Sequence, residues 1–169
     1  MNPIFIITGI IALIGLTAAR KLHTMNARDI IKKHEGWKAN VYTDAAGHPT
    51  IGWGHKLLPG ETLRTVTQEQ GEALLSADMT RIEREIMPAI TKPITANQKA
   101  AVICFAFNVG GAAFKSSTML KKINAGDSQG AALEFLKWNK ARDKKTGQLI
   151  PLRGLTARRT EEKTLFLTA

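Results

Sequence analysis

The residues that most restrict how this chain can fold are those from His34 to His55. They read His-Glu-Gly-Trp, a short polar and aromatic run to Asp44, the turn Ala45-Ala46-Gly47-His48-Pro49, and then Thr50-Ile51-Gly52-Trp53-Gly54-His55. In front of them, Ala27, Ile30 and Ile31 stand among charged residues at the spacing of one helical face. Gly36 is the expected helix stop. Beyond it, Val41 and Tyr42 precede a Gly/Pro turn and Ile51 and Trp53 follow it, the pattern of a β-hairpin. Glu35 is therefore expected at a helix C-terminus, facing strands that carry Asp44 and Thr50.

A helix C-terminus carries partial negative charge, which disfavours a second negative charge beside it. Packed against Trp37 or other apolar surface, Glu35 is expected to hold its proton and to be able to donate it. Asp44, in a polar turn, is expected to stay ionised and act as a base. Two carboxyl groups in opposed environments are what glycoside hydrolysis requires. By itself such a pair is weak, because a Glu and an Asp this close in sequence are most often solvated surface groups.

The joint pattern is more specific. The chain resembles the phage-type lysozymes, glycoside hydrolase family 24, whose motif is a helix ending in Glu-Gly, an Asp nine positions on, a Thr six further, and Ile-Gly-x-Gly-His. Glu35, Asp44, Thr50 and Ile51-Gly52-Trp53-Gly54-His55 fill every position. The resemblance covers about residues 25–169. It implies an α+β, mainly helical fold: a small lobe with a β-hairpin or three-stranded sheet, a larger helical lobe, and a long connecting helix. It also implies an endolysin that hydrolyses the β-1,4 bond between N-acetylmuramic acid and N-acetylglucosamine in peptidoglycan and so lyses a bacterial host. Glu35 would be the general acid, Asp44 would position or activate the attacking water, and Thr50 would hold that water from the other side. Inversion of configuration, expected for such enzymes, implies carboxyl groups roughly 6.5–9.5 Å apart. No metal or cofactor is expected.

Downstream, Lys56 to Leu63 with Pro59-Gly60 reads as a turn, with or without a third short strand, and Thr67 to Met87 is the longest helical signal. Thr67 with Gln70 forms a capping box, Leu74, Leu75, Ala77, Ile82 and Ile86 an apolar stripe, and Pro88 a stop. In the resembling family this helix spans both lobes, and an Asp within it, here Asp78, pairs with the His of the motif, here His55. That pair is expected to be structural. Thr95 with Gln98 caps a second helix whose segment Ala100 to Phe107 is apolar almost all round and should be buried, with Cys104 as a small core residue. The run Phe107 to Gly110 resembles the family segment that lines the sugar cleft, so Phe107 and Asn108 are candidate substrate contacts; a helix-capping Asn is the alternative for Asn108. Two short helices follow, starting at Ser117 and Asp127. The closing Gly154, Leu155, Arg158, Arg159 and Glu162 match a family run in which the arginines are mainly structural and one orients substrate.

Net charge is +10, and nine basic against three acidic residues lie between Lys137 and Lys163. This balance suits a polyanionic partner such as cell-wall polymer or acidic lipid, or serves as a solvated basic face. One cysteine excludes an internal disulfide. The chain divides into a weakly hydrophobic segment, residues 1–24, and a catalytic domain, residues 25–169. Residues 1–19 carry no charge, but Thr8, Gly9, Gly15 and Thr17 dilute them and a spanning helix needs ~20 strongly apolar residues. Three readings stay open: a signal-anchor that inserts in the inner membrane and later slips out, a cleaved signal, and a soluble helix. Arg20 and Lys21 would favour a cytoplasmic domain, against export. Met25 is a candidate second start.

The expected enzyme is a monomer made in the host cytoplasm and acting on periplasmic peptidoglycan, with no nucleic-acid partner. Two alternatives belong to other classes. A lytic transglycosylase works with one carboxylate, and Asp44 and Thr50 argue against it. A non-catalytic basic binder of membrane or nucleic acid would be indifferent to loss of Glu35.

Overall fold

The computed structural model describes residues 26–44, 47–143 and 145–168. The expected N-terminal segment 1–24, Met25 and the turn residues Ala45 and Ala46 lie outside the described residues. The described residues begin with α1 (Ala27–Glu35), capped by Asn26, whose side chain accepts from the Asp29 N–H while Asp29 reaches back to the Asn26 N–H. Ala27, Ile30 and Ile31 are its buried face, and it ends at Gly36, where φ of 69° favours a residue without a Cβ. A three-stranded antiparallel sheet follows, β1 (Lys38–Thr43), β2 (Pro49–Gly52) and β3 (His55–Lys56), in spatial order β1-β2-β3. The register pairs Tyr42 with Thr50 and Ile51 with His55.

The 19-residue helix α2 (Gln68–Ile86), capped by Thr67 and Gln70, touches β2 and β3 at one end and the next helix along its length, so it joins sheet and helical lobe. Its core face is Gly71, Leu75, Asp78, Ile82 and Ile86. The expected stripe is therefore displaced: Ala77 is exposed and Leu74 half-buried, while Asp78 takes a buried position because His55 and Arg81 satisfy its carboxylate.

Helix α3 (Ala96–Val109) is the core of the larger lobe, with residues 101–106 buried without a break. α4 (Gly111–Lys115) and α6 (Ser128–Phe135) meet it, and α5 (Thr118–Ala125) packs on α6 in the same core. Phe105 is the hub: Phe114, Phe135 and Trp138 meet its ring edge-on with centroids 6.5, 5.4 and 5.4 Å away. The basic C-terminal stretch has structure that its composition does not announce. It forms a second hairpin, β4 (Lys140–Arg142) and β5 (Leu149–Pro151), and then α7 (Arg153–Leu167), which packs on α3. The buried face of α7 is Arg158, Arg159, Glu162, Leu165 and Phe166. These are helical positions filled in part by charge, so hydrophobic periodicity does not register them.

Candidate active site

Helix α1 delivers Glu35 on its last turn, and α7 meets that turn through three consecutive side chains. Lys33 Nζ and His34 Nε2 contact the Glu161 carboxylate at 2.5 and 2.9 Å, and Arg158 Nη1 donates to Glu35 Oε1 at 2.6 Å. The expected surroundings of Glu35 are thus corrected: a charged guanidinium lies against the carboxyl, and the Trp37 ring packs on Trp53 with centroids 5.0 Å apart and against Gly71. From the sheet side, the turn residue Gly54 closes on Glu35. A Cβ at Gly54 would stand 3.0–3.1 Å from Glu35 Cγ, Cδ and Oε2, and φ of +86° further restricts the position to glycine.

Asp44 follows β1 in a polar setting. Its Oδ1 accepts from the His48 N–H at 2.8 Å, and its Oδ2 lies 3.4 Å from both His48 Nδ1 and Lys56 Nζ. Thr50 is buried on β2, its hydroxyl donating to the His48 carbonyl at 3.0 Å. Asp44 and Thr50 are thus both tied to His48 at the end of the hairpin. Tyr42, cross-strand partner of Thr50, reports on both carboxyl groups: its phenol is raised above its ordinary value of 10, first by burial and then by the negative charges of Glu35 and of Asp44. No local signal marks Tyr42 for this place, although it lies seven residues after Glu35 on a strand whose alternate side chains share one face.

Phe107 is half-buried against the core, and Asn108 lies exposed in the last turn of α3, its Oδ1 accepting from Arg159 Nη2 at 3.2 Å. The cap itself is Gly110, with φ of 90°, so Asn108 is not the helix cap. His55 and Asp78 are together: His55 Nδ1 lies 2.8 Å from Asp78 Oδ2, and its Nε2 lies 2.8 Å from Glu61 Oε2. The Asp78 hydrogen bond raises the His55 pKa from 6.5, against desolvation and with help from Glu61. Glu61 is a partner that residue spacing did not indicate. Among the described residues no group of three or more His, Cys, Asp or Glu is placed to hold a metal ion.

A helical lobe, a small sheet joined to it by one long helix, and a glutamate at a helix end packed against a turn of that sheet are the architecture of a glycosidase of the lysozyme type. Comparison with known proteins agrees. A family model described as phage lysozyme matches residues 32–162. The endolysin of Acyrthosiphon pisum secondary endosymbiont phage 1 is 43% identical over 142 residues, 83% of this chain and 94% of that protein. A SAR-endolysin of Bacteriophage PS119 is 34% identical, covering 79% of this chain and 76% of its own. Among solved structures, the muramidase domain of SpmX from Asticaccaulis excentricus superposes with a TM-score of 0.76 at 34% identity, covering 85% of this chain and 95% of that one. The chain belongs to the phage lysozyme family. It is a glycosidase of a class that lyses bacterial peptidoglycan.

Proposed function

We propose that this lysozyme cuts the β-1,4 bond between N-acetylmuramic acid and N-acetylglucosamine with inversion, and that Glu35, Asp44 and Thr50 carry the chemistry. Glu35 is the general acid that protonates the leaving oxygen; Asp44 activates or positions the water; Thr50 holds that water from the strand side. The observation that supports this reading is the placement of Tyr42: on β1 it pairs across the strands with Thr50, and its phenol responds to the negative charges of both Glu35 and Asp44. Inversion requires room for a water between the carboxyls, a separation of roughly 6.5–9.5 Å. Phe107 and Asn108 contact the sugar at the end of α3, and His55 with Asp78 braces β3 against α2. The chemistry proceeds without metal or cofactor.

Residues 25–169 form the catalytic domain of a monomer, and residues 1–24 a signal-anchor-like segment that tethers the enzyme transiently to the inner membrane. Likeness to SAR-endolysins and the uncharged stretch 1–19 support the tether. Among the described residues no helix is long and apolar enough to cross a membrane. The enzyme is made in the host cytoplasm and acts on periplasmic peptidoglycan, and its net charge of +10 suits an anionic wall. Proton NMR of freshly cleaved glycan tests the mechanism: inversion yields the α-anomer first, whereas an initial β-anomer would assign a covalent, retaining route and remove Asp44 from its role.

A further inference from the structure

Below Glu35 lies a buried cluster of charge that the acid/base reaction does not by itself require. Arg158 and Glu162 are one turn apart on α7, and Arg158 Nε donates to Glu162 Oε1 at 3.1 Å while its Nη1 donates to Glu35 Oε1. One planar guanidinium therefore bridges two carboxylates, a geometry that its rigid fork permits and a lysine ammonium does not. Glu162 is fixed in turn: Arg159 Nη2 donates to the same Oε1 at 2.8 Å, and Cys104 Sγ from α3 donates to it at 3.3 Å. Arg159 is itself held over the Phe105 ring, 4.9 Å from its centroid, and by Asn108. Glu162, Arg159 and Cys104 are each 0% exposed and Arg158 3%.

As a stabilising device such a cluster is poor. Desolvating ions costs about as much as their attraction returns, and apolar residues of equal volume often do as well. Arg158 Nη2, Arg159 Nε and Nη1, and Glu162 Oε2 are also buried without a protein partner. What the cluster does accomplish is to fix a guanidinium, by its far edge, against the Glu35 carboxyl.

We propose that Glu162 is a positioning residue for the reaction, acting through Arg158 to set the placement and net charge of the group that holds Glu35. The inference rests on the reading of Glu35 as the general acid. Glu162 touches no substrate, so its effect passes entirely through the guanidinium. The charged and titratable groups facing the pair are these: Arg158 from α7 and, from the sheet, Tyr42 toward Glu35; Arg158 and Arg159 from α7 and Cys104 from α3 toward Glu162. Lys33 and His34 are engaged with Glu161 on the neighbouring face of α7. With Glu35 ionised, Glu35, Arg158, Arg159 and Glu162 together are neutral. Neutralising Glu162 leaves one excess positive charge beside Glu35, favours the ionised acid, and withdraws the proton that it must donate.

The experiment is the pH dependence of kcat and KM on soluble glycan fragments for wild type, Glu162→Gln and Glu35→Gln, with circular dichroism as the folding control. Folded Glu162→Gln is expected to show the basic limb of kcat about one pH unit lower, with KM unchanged. A profile superimposable on wild type would overturn the inference. Should Glu162→Gln not fold, the side-chain Nε–H resonance of Arg158 decides in its place. It is expected to titrate in wild type together with the basic limb and to lose that titration in Glu35→Gln, and a pH-independent resonance would overturn the coupling. Full activity in Glu35→Gln would instead remove the assignment of the acid, a result distinct from either.

Discussion

Asp78→Asn isolates the interaction that ties the sheet to the long helix. His55 and Asp78 are each 4% exposed, with Nδ1 and Oδ2 2.8 Å apart, and this hydrogen bond is the largest influence raising the His55 pKa. Removing one partner of a buried pair costs about 3–5 kcal/mol. Glu61 still faces Nε2, but its side chain is 30% exposed and compensates little, so a loss of about 3 kcal/mol is expected. For a domain of this size that corresponds to roughly 10 °C in Tm. Because the folded pKa of His55 lies above the unfolded value of 6.5, the contribution of its protonated form is complete below pH 6.5 and fades as pH rises through the folded pKa. Urea unfolding of wild type and Asp78→Asn at pH 5.5 and pH 9 should therefore show the larger difference at pH 5.5. Clearing activity per folded molecule should be nearly unchanged, since the proposed chemistry uses neither side chain. A difference below about 0.5 kcal/mol at pH 5.5, or a larger one at pH 9, would refute the reasoning.

Two other perturbations address the site itself. Tyr42 is the only tyrosine, so absorbance at the phenolate band titrates it alone; its midpoint should lie above 10 and move down in Glu35→Gln, and an unmoved midpoint would put Glu35 out of its reach. Gly54→Ala places a Cβ against the Glu35 carboxyl at positive φ and should cost about 1–2 kcal/mol of stability and at least about tenfold in kcat, read by thermal melting and turbidity clearing.

The parts of this molecule legible in its sequence are those whose signals are local. Thr67 and Thr95 cap the helices that their spacing announces, Gly36 ends α1, and the Gly/Pro turn separates β1 from β2. The buried run 101–106 stands out because it is apolar on every face. Helix α7 did not stand out, because Arg158, Arg159 and Glu162 occupy its core-facing positions and satisfy one another across chain separations that no window spans. The contact of Arg158 with Glu35 joins residues 123 positions apart, which is why the charge beside the acid was missed while the acid was not. The hairpin of β4 and β5 escaped notice for a different reason: Lys140-Ala141-Arg142 contains no strand former, and its fold depends on pairing with Leu149 to Pro151.

The measurement that bears most directly on the account is clearing of purified peptidoglycan by wild type and Glu35→Gln, with the released fragments weighed by mass spectrometry. The account predicts water-added muropeptides from wild type and a loss of about a thousandfold or more in the variant. Anhydro fragments from wild type, or clearing undiminished in Glu35→Gln, would contradict it.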